Sequence, residues 1–322
     1  MCRNIRIALF LCLVALSSSA EVKNGGAKLI PLDGGKYNVW TKRVGSGSAK
    51  LLTLHGGPGL PHDYLEVFED FVPQKGIEFY YYDQLGVGNS DQPDDASLWT
   101  VDRYRDEVEQ VRQGLGIDRI YLFGHSWGGM LAIEYALAHQ DHLKAVIISN
   151  MTASSPSYMQ YANELRAKLS KEDQATLAKY EALGQYEAPE YNAILLGKIY
   201  AEHICRIDPW PEPLMRSVKK MNATIYNTMQ GPNEFVITGN FKDWDRWNDL
   251  ASIRIPTLIL GAIHDEMRPD DLRRMGKLIP RSRTVILAGS HMSMYDDQEA
   301  YFRELVRFIK EVEAGTFKPD AK

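Results

Sequence analysis

The stretch RIYLFGHSWGGMLAIEYALAH, residues 119–139, constrains this chain more than any other. Its apolar run Ile120–Phe123 reads as a buried strand, and the small-residue run after Ser126 reads as a helix, so the serine sits on the corner between them. Gly-x-Ser-x-Gly at such a corner is a nucleophile elbow, in which small neighbours let the chain take a strained turn that lifts a hydroxyl above the sheet. Gly124 and Gly128 supply the smallness. The competing reading is a tight turn around a serine that does no chemistry.

The surroundings fit a corner of this kind. Residues 27–55 read as three short strands, the last ending in HGGPG at 55–59, and IEFYYYDQLGVGNS reads as an apolar strand closed by a glycine turn. A helix is predicted over residues 101–115, a strand over 143–150, and a final helix over 298–312. Strands resume in IPTLILGAIHDE and RTVILAGSHMS. Alternating strands and helices imply an α/β fold with a mostly parallel sheet covered by helices. Between residues 152 and 241 the pattern turns to polar helices with proline breaks, read as a helical cap inserted between two core segments, 21–151 and 242–322.

A serine hydroxyl attacks only when a base takes its proton, and that base needs a carboxylate to fix its tautomer. Behind an elbow the partners follow in the order Ser, Asp, His at the ends of later strands. Asp265 and His291 occupy those two places. Of the other histidines, His264 is expected to point away from the site, and His55 and His125 read as structural. His62, His139, His142 and His203 fall in helices or loops with no role assigned, and their scatter matches no metal-ligand spacing. No metal and no cofactor is expected. For the oxyanion, the backbone N–H of Trp127 and of Gly57 are the candidate donors, although an ordinary Gly-Pro turn also fits HGGPG.

The first twenty residues carry Arg3 and Arg6, then the apolar run Ile7–Leu16, then small residues ending at Ala20, the layout of a signal peptide cut after Ala20. A run of ten apolar residues is short of the roughly 20 that a membrane span needs. The expectation is a secreted or periplasmic protein without a membrane anchor after cleavage. Removing Arg3 and Arg6 from 37 basic residues, against 42 acidic ones, takes the net charge from −5 to −7, which does not suit nucleic acid. Cys2 and Cys12 leave with the same segment, so Cys205 is alone and reads as structural.

Taken together, HGGPG, YDQLGVGNSDQPDD, GHSWGGMLAIEYA, GPNEFVITGNFKDWD, GAIHDEMRP and GSHMSMYDD resemble the proline iminopeptidases of the α/β-hydrolase fold, near the tricorn-interacting aminopeptidases. The resemblance runs over nearly the whole chain after the N-terminal segment. It implies a serine exopeptidase that releases N-terminal proline or another small apolar residue from short peptides or amino-acid amides with a free N-terminus, through an acyl-enzyme. It also implies that Glu234 and Glu266 grip the free amine. By themselves the same residues read as a solvated cap carboxylate and a helix-start carboxylate. Tyr226 and Trp127 read either as the lining of a pocket for the first side chain or as packing. An esterase or amidase without amine recognition and a non-catalytic binding protein are the alternatives, and oligomeric state is not encoded legibly.

Overall fold

The computed structural model describes residues 25–321. The segment read as a signal peptide lies outside them. Eight strands form one sheet in the order β1-β2-β4-β3-β5-β6-β7-β8. They are β1 (Ala27–Leu32), β2 (Tyr37–Val44), β3 (Ala49–Leu54), β4 (Ile77–Tyr82), β5 (Ile120–His125), β6 (Leu143–Ser149), β7 (Thr257–Ala262) and β8 (Ser282–Leu287). β1 and β2 pair antiparallel at one edge, and every pair from β4 to β8 is parallel. β4, β5 and β7 are buried at every position, as expected of central strands covered on both faces, which accounts for their unbroken apolar runs.

Helices α1 (Val101–Leu115) and α2 (Trp127–His139) follow β4 and β5. Thr100 caps α1 by accepting from Arg103 N, and Gly116 ends it in the left-handed conformation. After β6 come α3 (Ser155–Arg166), α4 (Lys171–Ala182), α5 (Pro189–Ile194), α6 (Ala201–His203), α7 (Glu212–Lys219) and α8 (Ala223–Met229). The chain leaves and re-enters the core beside itself: Ser154 pairs antiparallel with Asp245, and Arg246 N donates to Ala153 O at 2.8 Å. The two ends of the helical excursion are therefore pinned together. Helices α9 (Pro269–Leu278), α10 (Ser293–Asp296) and α11 (Gln298–Glu313) complete the fold.

The excursion is also anchored along its length. Buried Asp63 accepts from Arg216 at 2.7 Å and from Lys220 at 2.6 Å, and Ser217 Oγ donates to Pro61 O at 2.7 Å. These bonds seat α7 above the loop that leaves β3. The carboxyl ends of β3, β5, β6, β7 and β8, where an open α/β sheet places its ligand, thus lie beneath the helices.

Candidate active site

Ser126 stands between β5 and α2 with φ 55° and ψ −127°, a backbone that a side-chain-bearing residue adopts only at a cost. Its N–H donates to Ser149 O at 3.0 Å, tying the corner to the next strand. The glycines are explained by what a Cβ would strike. At Gly124 it would lie 1.9 Å from Gly128 O, and at Gly128 2.2 Å from Leu54 O. Both obstacles are backbone, so neither can swing aside. Gly124→Ala is accordingly expected to destabilise the fold by about 3 kcal/mol, seen as a lowered denaturant midpoint with unchanged slope.

Asp265 and His291 lie in the turns after β7 and β8, three and four residues beyond the strand ends. His291 Nδ1 is 2.9 Å from Asp265 Oδ1. Two further donors hold that carboxylate: Asn150 Nδ2 at 2.6 Å on Oδ2 and Met267 N at 3.0 Å on Oδ1. Asn150, which sequence reasoning did not find, follows β6 at φ 53°, a left-handed conformation that asparagine tolerates better than most side chains. Ser126 and His291 open onto one cavity without a direct hydrogen bond between them. In serine hydrolases that bond tightens when substrate arrives.

The histidine loop is clamped from two directions. His291 N donates to His203 O at 3.0 Å and Met292 N to Ile204 O at 2.8 Å, so the helical excursion fixes it from above. His203, assigned no role from its sequence setting, thus serves through its carbonyl. From below, His125 Nε2 is 3.0 Å from His291 O, and only a protonated Nε2 can bond a carbonyl. His125 Nδ1 is then an acceptor for Tyr64 OH at 3.1 Å, while that hydroxyl accepts from Gly56 N at 2.6 Å. Burial, reinforced by neighbouring His291, pushes His125 well below the ordinary histidine range, which keeps it neutral as this chain of bonds requires. His264 turns away to Glu202 Oε1 at 2.7 Å, as its position predicts. His55 is buried and pushed down to about 4 by desolvation, a structural role.

Around Ser126 two N–H groups, of Gly57 and Trp127, have no acceptor among the described residues. Gly56 N–H, by contrast, is spent on Tyr64. Gly57 has φ 112°, and a Cβ there would come 2.7 Å from the amides of Gly59 and Leu60. Trp127 is the first residue of α2, and N–H groups of a first helical turn have no partner within the helix.

The two glutamates are electrostatic neighbours, Glu234 on the wall of the cavity and Glu266 buried behind it beside His291. Glu234 accepts from Tyr226 OH at 2.7 Å, from Tyr158 OH at 3.2 Å and from Gln230 Nε2 at 3.2 Å, and its remaining surface faces the cavity. Glu266 is fully buried, neither of its carboxylate oxygens has a hydrogen-bond partner, and Oε1 lies 3.6 Å from His291 Nε2. Burial pushes Glu266 well above the ordinary carboxylate range, and the charges of Glu234 and Asp265 push it the same way. Burial likewise raises Glu234, opposed by its bond from Tyr226. Neither glutamate is the solvated or helix-start carboxylate that its sequence setting also allowed. An unpaired buried carboxylate costs several kcal/mol, and a cation arriving beside it recovers that cost.

Two hollows flank Ser126. One is a small recess lined by Trp127, Met130, Met151, Tyr158 and Phe241. Trp127 is both lining and packing: its ring stacks on Phe241 at 5.9 Å and its indole N–H donates to Gln84 Oε1 at 2.8 Å. The other is a cavity of about 350 Å³ to which Tyr226 contributes while holding Glu234.

Residues 51–298 match the family model of the alpha/beta hydrolase fold. The chain is 46% identical over 283 residues to the proline iminopeptidase of Flavobacterium johnsoniae, covering 86% of this chain and 95% of that one. With the proline iminopeptidase of Chitinophaga pinensis it is 47% identical over 285 residues, again covering 86% and 95%. The chain belongs to the proline iminopeptidase family. Among solved structures, the proline iminopeptidase of Mycobacterium smegmatis superposes with a TM-score of 0.83 at 31% identity, covering 90% of this chain and 99% of that one. The structure of VinJ superposes with a TM-score of 0.85 at 32% identity, covering 90% and 100%. Membership of this family agrees with an elbow serine, an Asp-backed histidine and a cap that brings its own carboxylate.

Proposed function

We propose that this protein is a serine aminopeptidase that releases N-terminal proline, or another small apolar residue, from short peptides with a free N-terminus. The observation that carries this reading is Glu266, a fully buried carboxylate 3.6 Å from His291 Nε2, raised by burial and then by the charge of Glu234. That arrangement stabilises a cation at a fixed distance from the base. A primary ammonium, or the secondary ammonium of an N-terminal proline, held by both carboxylates sets the first peptide carbonyl over Ser126, beside the small apolar recess of Trp127 and Phe241.

In the reaction, His291 Nε2 takes the proton of Ser126 as Oγ bonds to the carbonyl carbon, and Asp265 stabilises the imidazolium. The N–H groups of Gly57 and Trp127 hold the oxyanion. The imidazolium then gives its proton to the departing amine as the C–N bond breaks, leaving a prolyl ester on Ser126. Water, deprotonated by the same imidazole, hydrolyses that ester. Prolyl, alanyl and leucyl arylamides compared with their N-acetyl forms test the reading. Turnover confined to the free forms supports it; equal turnover of blocked forms points to an esterase or amidase instead.

The raised Glu266 gives a second test. In the empty site this carboxyl holds a proton above the usual range, and a bound ammonium lowers its affinity for that proton. Binding of a non-hydrolysed prolyl analogue at mildly acidic pH is therefore expected to release protons, read by calorimetry in two buffers of different ionisation enthalpy. Glu266→Gln is expected to abolish most of that release. Export is part of the proposal too. Mass spectrometry of the protein from its native host should find a chain beginning at Glu21, and one still beginning at Met1 contradicts cleavage.

A further inference from the structure

We infer that the leaving-group side of this site is built for a bulky, apolar, uncharged residue, so that the enzyme discriminates on the second position of its substrate as well as the first. This rests on the aminopeptidase reading above. The side is fixed by proton chemistry: the leaving amine receives its proton from His291, so the departing part of the substrate lies where His291 is exposed. His291 lines the cavity of about 350 Å³ and is absent from the small recess, while Ser126, Gly57 and Glu234 line both. The leaving part therefore lies in the cavity, on the side where His291 is exposed.

The cavity's walls define what it accepts. Leu60, Leu195, Ile204, Trp210, Leu214 and Met221 form an apolar side of its lining, drawn from the loop after β3 and from the helical excursion. Leu196 and Val218 carry the apolar surface outward, being 51% and 37% exposed at the rim. The lining contains no lysine or arginine among the described residues, and its acidic members are Glu187 and Glu234. A dipeptide's free carboxylate finds no cation there and meets negative charge. An aromatic or branched side chain followed by an amide, or by further chain, finds apolar contact.

The test compares kcat/KM for prolyl-glycinamide, prolyl-leucinamide, prolyl-phenylalaninamide and free-acid prolyl-phenylalanine. We expect phenylalaninamide to exceed glycinamide by about ten- to a hundredfold, the range for burying one large apolar side chain, and to exceed its own free acid by about tenfold. Leu214→Asn is expected to shrink the phenylalanine-to-glycine ratio by at least fivefold. Should that variant fail to fold, the wild-type series decides alone: a rise with apolar size supports the inference and a flat series overturns it. A free acid that reacts as fast as the amide overturns the charge argument. Cleavage of prolyl-glycinamide without preference overturns this inference but leaves the peptidase reading standing, whereas no cleavage of any free prolyl substrate overturns both.

Discussion

Ser126→Ala is expected to lower kcat on prolyl arylamides by about 10⁴- to 10⁶-fold, with KM within a few-fold of the wild type. The serine supplies the atom that bonds to the carbonyl. Cys205 does not take over: it is buried, and its thiol is pushed up to about 11 by desolvation, so it stays protonated at neutral pH. His291→Ala is expected to lose nearly as much, and the double variant hardly more, because the two side chains act as a unit. Steady-state kinetics on all three, with circular dichroism to show that the fold persists, checks this. Additive losses in the double variant would contradict a shared proton relay.

The second large effect belongs to Glu266. Its replacement by glutamine is expected to cut kcat/KM for free prolyl substrates by about 10²- to 10³-fold, since one partner of a desolvated charge pair contributes about 2–5 kcal/mol. The substitution also replaces a buried carboxyl, whose charged form burial disfavours, with a neutral amide. It is therefore expected to raise the thermal midpoint by a few degrees, the usual exchange of stability for function at a site. Glu234 is expected to behave differently, because Tyr226, Tyr158 and Gln230 already hold it. Glu234→Gln should lower turnover without a gain in stability. Differential scanning calorimetry beside the kinetics separates the two. A Glu266→Gln protein that is less stable and fully active would show a structural carboxylate.

The sequence made the elbow legible because its determinants are local: an apolar strand, two glycines and a helix within one short segment. Asp265 and His291 were legible because each follows an apolar strand in the order the fold requires. What stayed hidden depends on contacts between distant segments. Asn150 looks like any residue after a strand until Asp265, far along the chain, is seen to accept its amide. His125 reads as structural and Tyr64 carries no local signal, and only their bonds to Gly56 and to the His291 carbonyl reveal that they connect the Gly56–Gly57 loop to the base. The recess joins Met151, where the excursion begins, to Phe241, where it ends, and no local pattern encodes that meeting. The two roles of Trp127 were likewise undecidable in sequence, since a stacked ring and a pocket wall have the same composition.

The central claim is that peptide carbonyls are transferred to Ser126 while the substrate amine sits on Glu234 and Glu266. It is tested most directly by mixing the enzyme with a slowly hydrolysed prolyl ester, quenching in acid within the first turnover, and mapping the modified peptide by mass spectrometry. The account predicts a prolyl group on the peptide containing Ser126, absent when the N-acetylated ester is used. A prolyl adduct on another residue, or equal labelling by the blocked ester, would contradict it.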